Sequence, residues 1–278
     1  MLWRTTRYAI DCSVPRVMGI VNCSPDSFGT AEPVHSPQEA IALCERLVAE
    51  GADLLDLGGE STRPRAEPVP VEVELARVLP VLDVAVGLGV PVSVDTRHAE
   101  TMRVVLERGA DIVNDVQALQ GPGALQVVAD HGRCGVCLMH MRGEPATMHL
   151  HATYADVVAD VGAFLAQRLA QVQSAGIEAD RIVLDPGIGF AKTAAHNLEL
   201  LRRQGELLSI GRPLLVGWSR KSTLGRLTGG KPADERVAAS VAAAVLAVER
   251  GARIVRVHDV AQTVDALAVW KAVSAQRG

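Results

Sequence analysis

Asp95, Asp115 and Asp185 stand at the ends of short apolar stretches of the sequence. A buried carboxylate without a partner is costly, so each needs either a hydrogen-bonding role within the chain or a ligand. Asp115 can cap the loop that follows it, and Asp185, which precedes Pro186-Gly187, can set a turn. An ionised aspartate also accepts paired hydrogen bonds from an amidine or aminopyrimidine group, and Asp185 suits that ligand chemistry.

Basic side chains also stand at or near the ends of short apolar stretches late in the chain. Arg256 and His258 are two residues apart on one predicted strand and therefore share a face. A cation and an imidazole there suit the phosphate site that α/β barrels often form after their last two strands. The alternative is that Arg256 pairs with a carboxylate in the core, and both roles stay open. Lys221 lies in Ser219–Thr223, where hydroxyl groups can cap a helix and backbone N–H groups can bind an anion.

The elements that must position these side chains alternate between strand and helix. Short, β-branched apolar runs indicate parallel strands buried on both faces. These predicted strands are Val17–Val21, Leu54–Leu57, Val90–Val94, Asp111–Val113, Gly135–Met139, Ile182–Leu184, Leu214–Gly217 and Ile254–Val257. The predicted helices are Pro37–Glu50, Val71–Val86, Ala99–Arg108, Gly123–Asp130, Tyr154–Ala175, Ala195–Arg203, Asp234–Glu249 and Val260–Ala275.

This alternation predicts an α/β fold, a (β/α)8 TIM barrel, in a single domain over residues 1–278 with its core at about 16–274. An open doubly wound sheet is the alternative, but no GxGxxG turn follows the first strand. The carboxyl ends of barrel strands meet at one face, so the polar strand ends predict a pocket with both charge signs. These ends are Asn22, Gly58–Arg63, Asp95, Asn114-Asp115, His140, Asp185, Gly217–Lys221 and His258.

Composition excludes several classes of function. Net charge is −4 and aromatic residues make up 3%, which argues against a nucleic-acid surface. Val237–Val248 is too short to span a bilayer, and the N-terminus lacks the apolar region of a signal peptide, so we expect a cytoplasmic protein without a membrane partner. The five cysteines are odd in number and scattered, which fits a reducing compartment. Cys134 and Cys137 are interpreted as core residues, because no second pair completes a zinc site.

Two long connections follow early strands. Cys23–Ser36 and Gly58–Pro70 are rich in proline, and each is long enough for a functional loop. Both follow the carboxyl ends of early strands, so we expect both to act as lids over the pocket.

Eight segments of the chain form an ordered set: MGIVNCSPDSF (Met18–Phe28), GGESTRP (Gly58–Pro64), SVDT (Ser93–Thr96), ADIVNDV (Ala110–Val116), LMHMRGEPATM (Leu138–Met148), LDPGIGFAKT (Leu184–Thr193), GWSRKS (Gly217–Ser222) and RVHDV (Arg256–Val260). In this order, over about residues 16–272, they resemble dihydropteroate synthases, a family of pterin-binding enzymes. Each motif is weak alone, and their joint order is specific.

The resemblance implies condensation of 6-hydroxymethyl-7,8-dihydropterin pyrophosphate with para-aminobenzoate to 7,8-dihydropteroate and pyrophosphate, in folate biosynthesis. It also implies a homodimer, sensitivity to sulfonamides, and Mg²⁺ beside Asn22. The implied pterin site is Asp95, Asn114, Asp185 and Lys221; the aminobenzoate site is Phe28, Thr62, Arg63, Pro64, Lys221 and Ser222; the pyrophosphate site is Asn22, Arg63, Arg256 and His258. Asp95, Lys221, Arg256 and His258 are the implied catalytic residues.

The chain departs from the family pattern in its first lid, where Gly29-Thr30-Ala31-Glu32 replaces the usual Ser-Asp-Gly-Gly. This departure keeps the first of three alternatives open, and the other two rest on residues of the pocket. One is a catalytically silent paralogue that binds pterin and regulates a protein partner. Another is a pterin-dependent methyltransferase domain, which would not need the Ser219–Ser222 or Thr62–Pro64 elements. The last is an aldolase that forms a Schiff base through Lys221.

Overall fold

The computed structural model describes residues 1–24, 36–62 and 67–274. Eight parallel strands form one sheet, which confirms the predicted barrel, and two further strands form a separate antiparallel hairpin. In chain order the strands are β1 (Leu2–Arg4), β2 (Ala9–Asp11), β3 (Arg16–Asn22), β4 (Leu54–Gly58), β5 (Val92–Asp95), β6 (Ile112–Asp115), β7 (Gly135–Met139), β8 (Ile182–Asp185), β9 (Leu215–Val216) and β10 (Ile254–Val257).

The barrel strands are paired in the order β8-β7-β6-β5-β4-β3-β10-β9. A bridge between Leu184 of β8 and Leu214, the residue before β9, joins the two ends of this order. The sheet therefore closes on itself, and its interior-facing side chains share one space.

Helices separate consecutive barrel strands and pack against the outside of the sheet. They are α1 (Pro37–Ala49), α2 (Val71–Ala85), α3 (Ala99–Glu107), α4 (Ala124–His131), α5 (Val157–Ser174), α6 (Ala194–Arg202), α7 (Ser222–Leu227), α8 (Val237–Glu249) and α9 (Val260–Ser274). The N-terminus of α1 follows the predicted signals: Ser36 accepts a hydrogen bond from the backbone N–H of Glu39, and Pro37 opens the helix.

Two predicted helix starts were too early. The helix predicted from Tyr154 begins at Val157, because Asp156 is its N-cap and accepts bonds from the backbone N–H groups of Val158 and Ala159. The helix predicted from Asp234 begins at Val237, after a 3₁₀ turn at Ala233–Arg236. The short helix α7 and the β1–β2 hairpin were not predicted.

Side chains alternate between the two faces of each barrel strand. The outward-facing residues pack against the helices in the main apolar core. The lower inward-facing layer is apolar and is formed by Met18, Leu54, Ile112, Cys137, Val183, Leu215 and Ile254, together with Trp3 of β1. Two residues further along, the inward positions of β4, β6, β8 and β10 are polar, namely Asp56, Asn114, Asp185 and Arg256. The barrel therefore has an apolar bottom and a largely polar top.

Cys134 and Cys137 are both buried, as the core interpretation expects. All five cysteines lie in the described ranges, and none forms a disulfide. Within residues 1–24, 36–62 and 67–274, no helix is long and apolar enough to cross a membrane.

Candidate active site

A cavity of about 360 Å³ opens at the carboxyl ends of the barrel strands. Nine of the predicted site residues line it: Asn22, Thr62, Asp95, Asn114, Asp185, Lys221, Ser222, Arg256 and His258. The other three, Phe28, Arg63 and Pro64, lie outside the described residues, as does the altered lid segment Gly29–Glu32. The strand-end pattern therefore brings residues from seven separate loops or strands to one space, which is large enough for a small organic ligand.

Arg256 crosses the mouth of the barrel to two carboxylates. Its Nε donates to Asp56 Oδ2 at 2.6 Å, and its Nη2 donates to Asp95 Oδ2 at 3.0 Å. Asn114 Nδ2 donates to the same oxygen of Asp56 at 3.1 Å. Arg256 thus has the carboxylate partners that were one of its two expected roles. Its side chain is still 21% exposed and lines the cavity, so its remaining N–H donors can serve an anion.

These contacts set the charge state of the polar cluster. Burial raises the pKa of Asp95 to about 7, although the positive charge of Arg256 acts in the opposite direction. Burial would lower the pKa of Arg256, but the carboxylates of Asp56 and Asp95 outweigh it and raise that pKa. Arg256 is therefore charged throughout the physiological range, whereas Asp95 can hold or release a proton near neutral pH.

Asp185 combines both of its expected roles. Its Oδ1 accepts a hydrogen bond from the backbone N–H of Gly187 at 2.7 Å, which sets the turn after β8, and the residue also lines the cavity. Burial raises the pKa of Asp185 to about 6, against the Gly187 bond and the positive charge of Lys221. An ionised Asp185 near neutral pH fits a ligand with paired N–H donors.

Lys221 and Ser219 reach the cavity from the loop after β9. The ammonium of Lys221 lies 4.3 Å from the ring centroid of Phe190, a cation–π contact. Ser219 Oγ accepts a bond from the backbone N–H of His258 at 3.2 Å and lies 2.9 Å from His258 Nδ1. The expected hydroxyl cap is absent at α7, whose N-cap is Lys221. Ser219 instead holds the His258 imidazole in one orientation.

Asp115 has the capping role alone. Its Oδ1 accepts from the backbone N–H of Gln117 at 2.8 Å, and its Oδ2 accepts from that of Leu119 at 2.7 Å. It is fully buried and is absent from the cavity wall. The three aspartates of the strand ends therefore divide into one structural residue and two residues that face the cavity.

Asp56 was missed from the sequence, and Glu60, which lies in the predicted polar strand end Gly58–Arg63, was given no role of its own. Asp56 is fully buried within the apolar strand Leu54–Gly58, and a carboxylate inside such a strand was itself a signal, because its burial is costly without partners. Glu60 lines the cavity and pairs with Arg97 at 2.9 Å and with His98 Nε2 at 3.0 Å. These contacts tie the loop after β4, which carries Thr62, to the loop after β5.

The cavity offers few ligands for a metal ion. No cluster of three or more His, Cys, Asp or Glu side chains with metal-binding geometry occurs in the part of the chain that the structure describes. Asn22 lines the cavity, and the buried Asp95 Oδ1 has no hydrogen-bond partner. Mg²⁺ commonly uses one or two protein oxygens and takes its remaining ligands from water and substrate phosphates. This sparse oxygen set fits such a shared site.

A family model described as "Pterin binding enzyme" matches residues 18–258. A dihydropteroate synthase of Neisseria meningitidis serogroup B is 50% identical over an aligned length of 278 positions. The match covers 98% of this chain and 97% of that protein. The chain belongs to the dihydropteroate synthase family of pterin-binding enzymes.

Solved structures of dihydropteroate synthases have the same fold. The Yersinia pestis enzyme, in a complex with a sulfonamide drug, is 41% identical with a TM-score of 0.95 and covers 99% of this chain and 100% of its own. The Burkholderia cenocepacia enzyme, in a complex with 7,8-dihydropteroate, is 48% identical with a TM-score of 0.90 and covers 99% and 97%. The match to the family and the shared TIM-barrel fold therefore both extend over nearly the whole chain.

Proposed function

We propose that the chain is a transferase of folate biosynthesis that joins 6-hydroxymethyl-7,8-dihydropterin pyrophosphate to para-aminobenzoate. The products are 7,8-dihydropteroate and pyrophosphate. The observation that carries the proposal is one cavity that is lined by Asp95, Asn114 and Asp185 together with Lys221 and Arg256. Carboxylates suit the N–H groups of a pterin, and the cations suit a pyrophosphate. The complex of the Burkholderia cenocepacia relative with 7,8-dihydropteroate supports the same product.

The pterin is assigned to Asp95, Asn114, Asp185 and Lys221. Asp185 in its ionised form accepts hydrogen bonds from the aminopyrimidine edge, and Asn114 offers both a donor and an acceptor. Asn114 is itself held by Asp56, which is fully buried, so its amide has a defined orientation. Asp56 thus acts on the pterin through Asn114 and on the pyrophosphate through Arg256.

The pyrophosphate is assigned to Asn22, Arg256 and His258, with Arg63 as a further predicted ligand outside the described residues. Arg256 and His258 neutralise the leaving group as its bond to the pterin methylene carbon breaks. The conjugated pterin spreads the positive charge that develops, and the carboxylates of Asp95 and Asp185 favour that charge. The step is therefore a dissociative, SN1-like displacement, and the positioning of the substrates makes the largest contribution to catalysis.

The aminobenzoate is assigned to Thr62, Lys221 and Ser222, and to Phe28, Arg63 and Pro64, which the structure does not describe. Its amine attacks the methylene carbon and loses a proton, and its low basicity means that no strong base is needed. The sulfonamide complex of the Yersinia pestis relative supports sulfonamides as competitors for this site.

Mg²⁺ remains part of the proposal, with Asn22 as its protein ligand and the buried Asp95 nearby on the cavity wall. When bound, it supplies further positive charge at the pyrophosphate. The chain's own residues Arg256 and His258 orient the leaving group in either case.

A homodimer and a cytoplasmic location complete the proposal. Leu246 of α8 and Val269 and Val273 of α9 are 45%, 67% and 55% exposed, and α8 packs against α9. Exposed apolar side chains of this kind are typical of a subunit interface. Light scattering is expected to give twice the mass of 29.4 kDa, and a monomer at micromolar concentration would contradict this part. The five unpaired, buried cysteines support a reducing compartment.

The test is pyrophosphate release by the purified protein with dihydropterin pyrophosphate, para-aminobenzoate and Mg²⁺, each omitted in turn. Release that needs both substrates and Mg²⁺, with dihydropteroate formed in equal amount, is the expected result. The matched control is Asp185→Asn, which keeps the size of the side chain and should lose most of the activity. Pterin binding without pyrophosphate release would overturn the synthase and favour the silent paralogue.

A further inference from the structure

Lys192 lies behind the cavity wall rather than on it. Its Nζ donates to the carbonyl oxygen of Phe190 at 3.0 Å, and it lies 2.9 Å from Nδ1 and 3.4 Å from the carbonyl oxygen of His140. His140 follows β7 and Phe190 lies in the loop after β8, so one ammonium joins two strand ends. Nothing in the proposed reaction uses this lysine directly.

The loop that Lys192 holds forms one side of the cavity. Asp185, Gly189 and Phe190 all line it, and the Phe190 ring carries the ammonium of Lys221 at 4.3 Å. The backbone N–H of His140 also donates to the carbonyl oxygen of Asp185 at 2.9 Å. The place of Phe190, and with it that of Lys221, therefore depends on how firmly this loop is tied to His140.

The protonation states of His140 and Lys192 suit a hydrogen bond from the Lys192 side chain to the His140 ring. Burial lowers the pKa of His140 to about 2, so its ring is neutral and Nδ1 can accept a hydrogen bond. Burial lowers the pKa of Lys192 to about 7, while the carboxylate of Asp185 acts in the opposite direction and Lys221 and Arg142 add to the lowering. Lys192 thus also contributes to the electrostatic environment of Asp185.

We propose that Lys192 is a positioning residue for pterin recognition, which ties the loop after β8 to His140 and so keeps Phe190 and Lys221 in the cavity wall. The inference rests on the proposed function for the identity of the ligand. Lys192 does not touch the reacting atoms in this scheme. Its loss therefore weakens pterin binding more than it slows the departure of the pyrophosphate, which Arg256 and His258 assist.

The experiment compares Lys192→Met with Lys271→Met, a control on the exposed surface of α9. Binding of dihydropterin pyrophosphate with Mg²⁺ is measured by calorimetry, and steady-state kinetics give KM and kcat. For Lys192→Met we expect Kd and the pterin KM to rise about tenfold, as for a lost bond to a charged group, with kcat within about twofold. The Lys271 control should match the wild type.

Lys192→Gln keeps a shorter donor and serves if the methionine variant does not fold, as judged by thermal melting. Its Kd should rise at least about threefold, since the amide cannot reach both partners of the ammonium. A wild-type Kd in the folded variants would overturn the inference. A kcat that falls in proportion to the folded fraction while KM stays unchanged would also overturn the inference, because it indicates that Lys192 only stabilises the fold. Failure of the wild type itself to bind the pterin or release pyrophosphate would instead overturn the proposed function.

Discussion

Asp185 shows how burial at a single residue controls the ligand that the site can bind. Its pKa is raised to about 6, so its ionised fraction falls about tenfold between about pH 7 and about pH 5. Because the ionised form accepts the N–H groups of the pterin, we expect the Kd of dihydropterin pyrophosphate to rise about tenfold over that range. Calorimetry at a series of pH values measures this change.

Asp185→Asn provides the control for that pH dependence. Its amide cannot ionise, so the variant should bind more weakly at pH 7 and should lose the part of the change between pH 7 and pH 5 that Asp185 contributes. Asp95, whose pKa burial raises to about 7, is protonated over the same range and leaves its own dependence in place. An unaltered pH profile in the variant would show that another group controls binding.

The residues of the site were predictable where they stand at strand ends. Asp95, Asn114 and Asp185 could be placed together because parallel strands bring their carboxyl ends to one face. Asp56 lies in the middle of its strand, and its role depends on Arg256, two hundred positions away in the chain. The buried carboxylate of Asp56 is a local signal that a partner exists, but nothing near it in the sequence identifies Arg256 as that partner.

The conformation of the loop after β8 depends on the glycine at position 187. Gly187 has a φ of +70°, and a Cβ atom built there would lie 2.0 Å from the carbonyl oxygen of His140. Gly187→Ala is therefore expected to cost at least ~3 kcal/mol in the free energy of unfolding, from left-handed strain together with the clash. It should also weaken pterin binding, since the Gly187 N–H holds Asp185.

Gly211 is the matched control for this substitution. Its φ is +80°, but nothing lies within 4 Å of the corresponding Cβ position. Gly211→Ala should therefore cost only about 1 kcal/mol and leave pterin binding unchanged. Chemical denaturation of both variants gives the comparison, and equal losses would mean that strain alone, not the close approach to His140, makes Gly187 necessary.

Element boundaries followed the local signals where those signals were strong. β7 and β10 have the predicted bounds, and α1 and α2 end within one residue of prediction. The unpredicted α7 has only six residues, and β1 and β2 have three each. Segments of this length carry too few residues for a periodic pattern, and tertiary contacts decide their conformation.

The candidate site and an apolar layer that stabilises the fold lie at opposite ends of the barrel. The top holds the polar cavity, whereas Trp3 of the β1–β2 hairpin is fully buried against the lower interior layer. Its Nε1 donates to the carbonyl oxygen of Arg181 at 2.9 Å. The hairpin thus covers the bottom of the barrel interior, which the strand–helix pattern alone leaves open.

Trp3→Ala is expected to lower the free energy of unfolding by ~3–5 kcal/mol, because it removes a large buried side chain and leaves a cavity. Trp3→Phe keeps most of the packing and loses the bond to Arg181, so it should cost about 1–2 kcal/mol. Denaturant unfolding measures both losses, and kinetics at a temperature where the variants stay folded should give an unchanged kcat/KM. A variant that stays folded but loses activity would show that the bottom of the barrel is coupled to the site. Among the described residues, none of the buried apolar cluster around Trp3 lines the cavity.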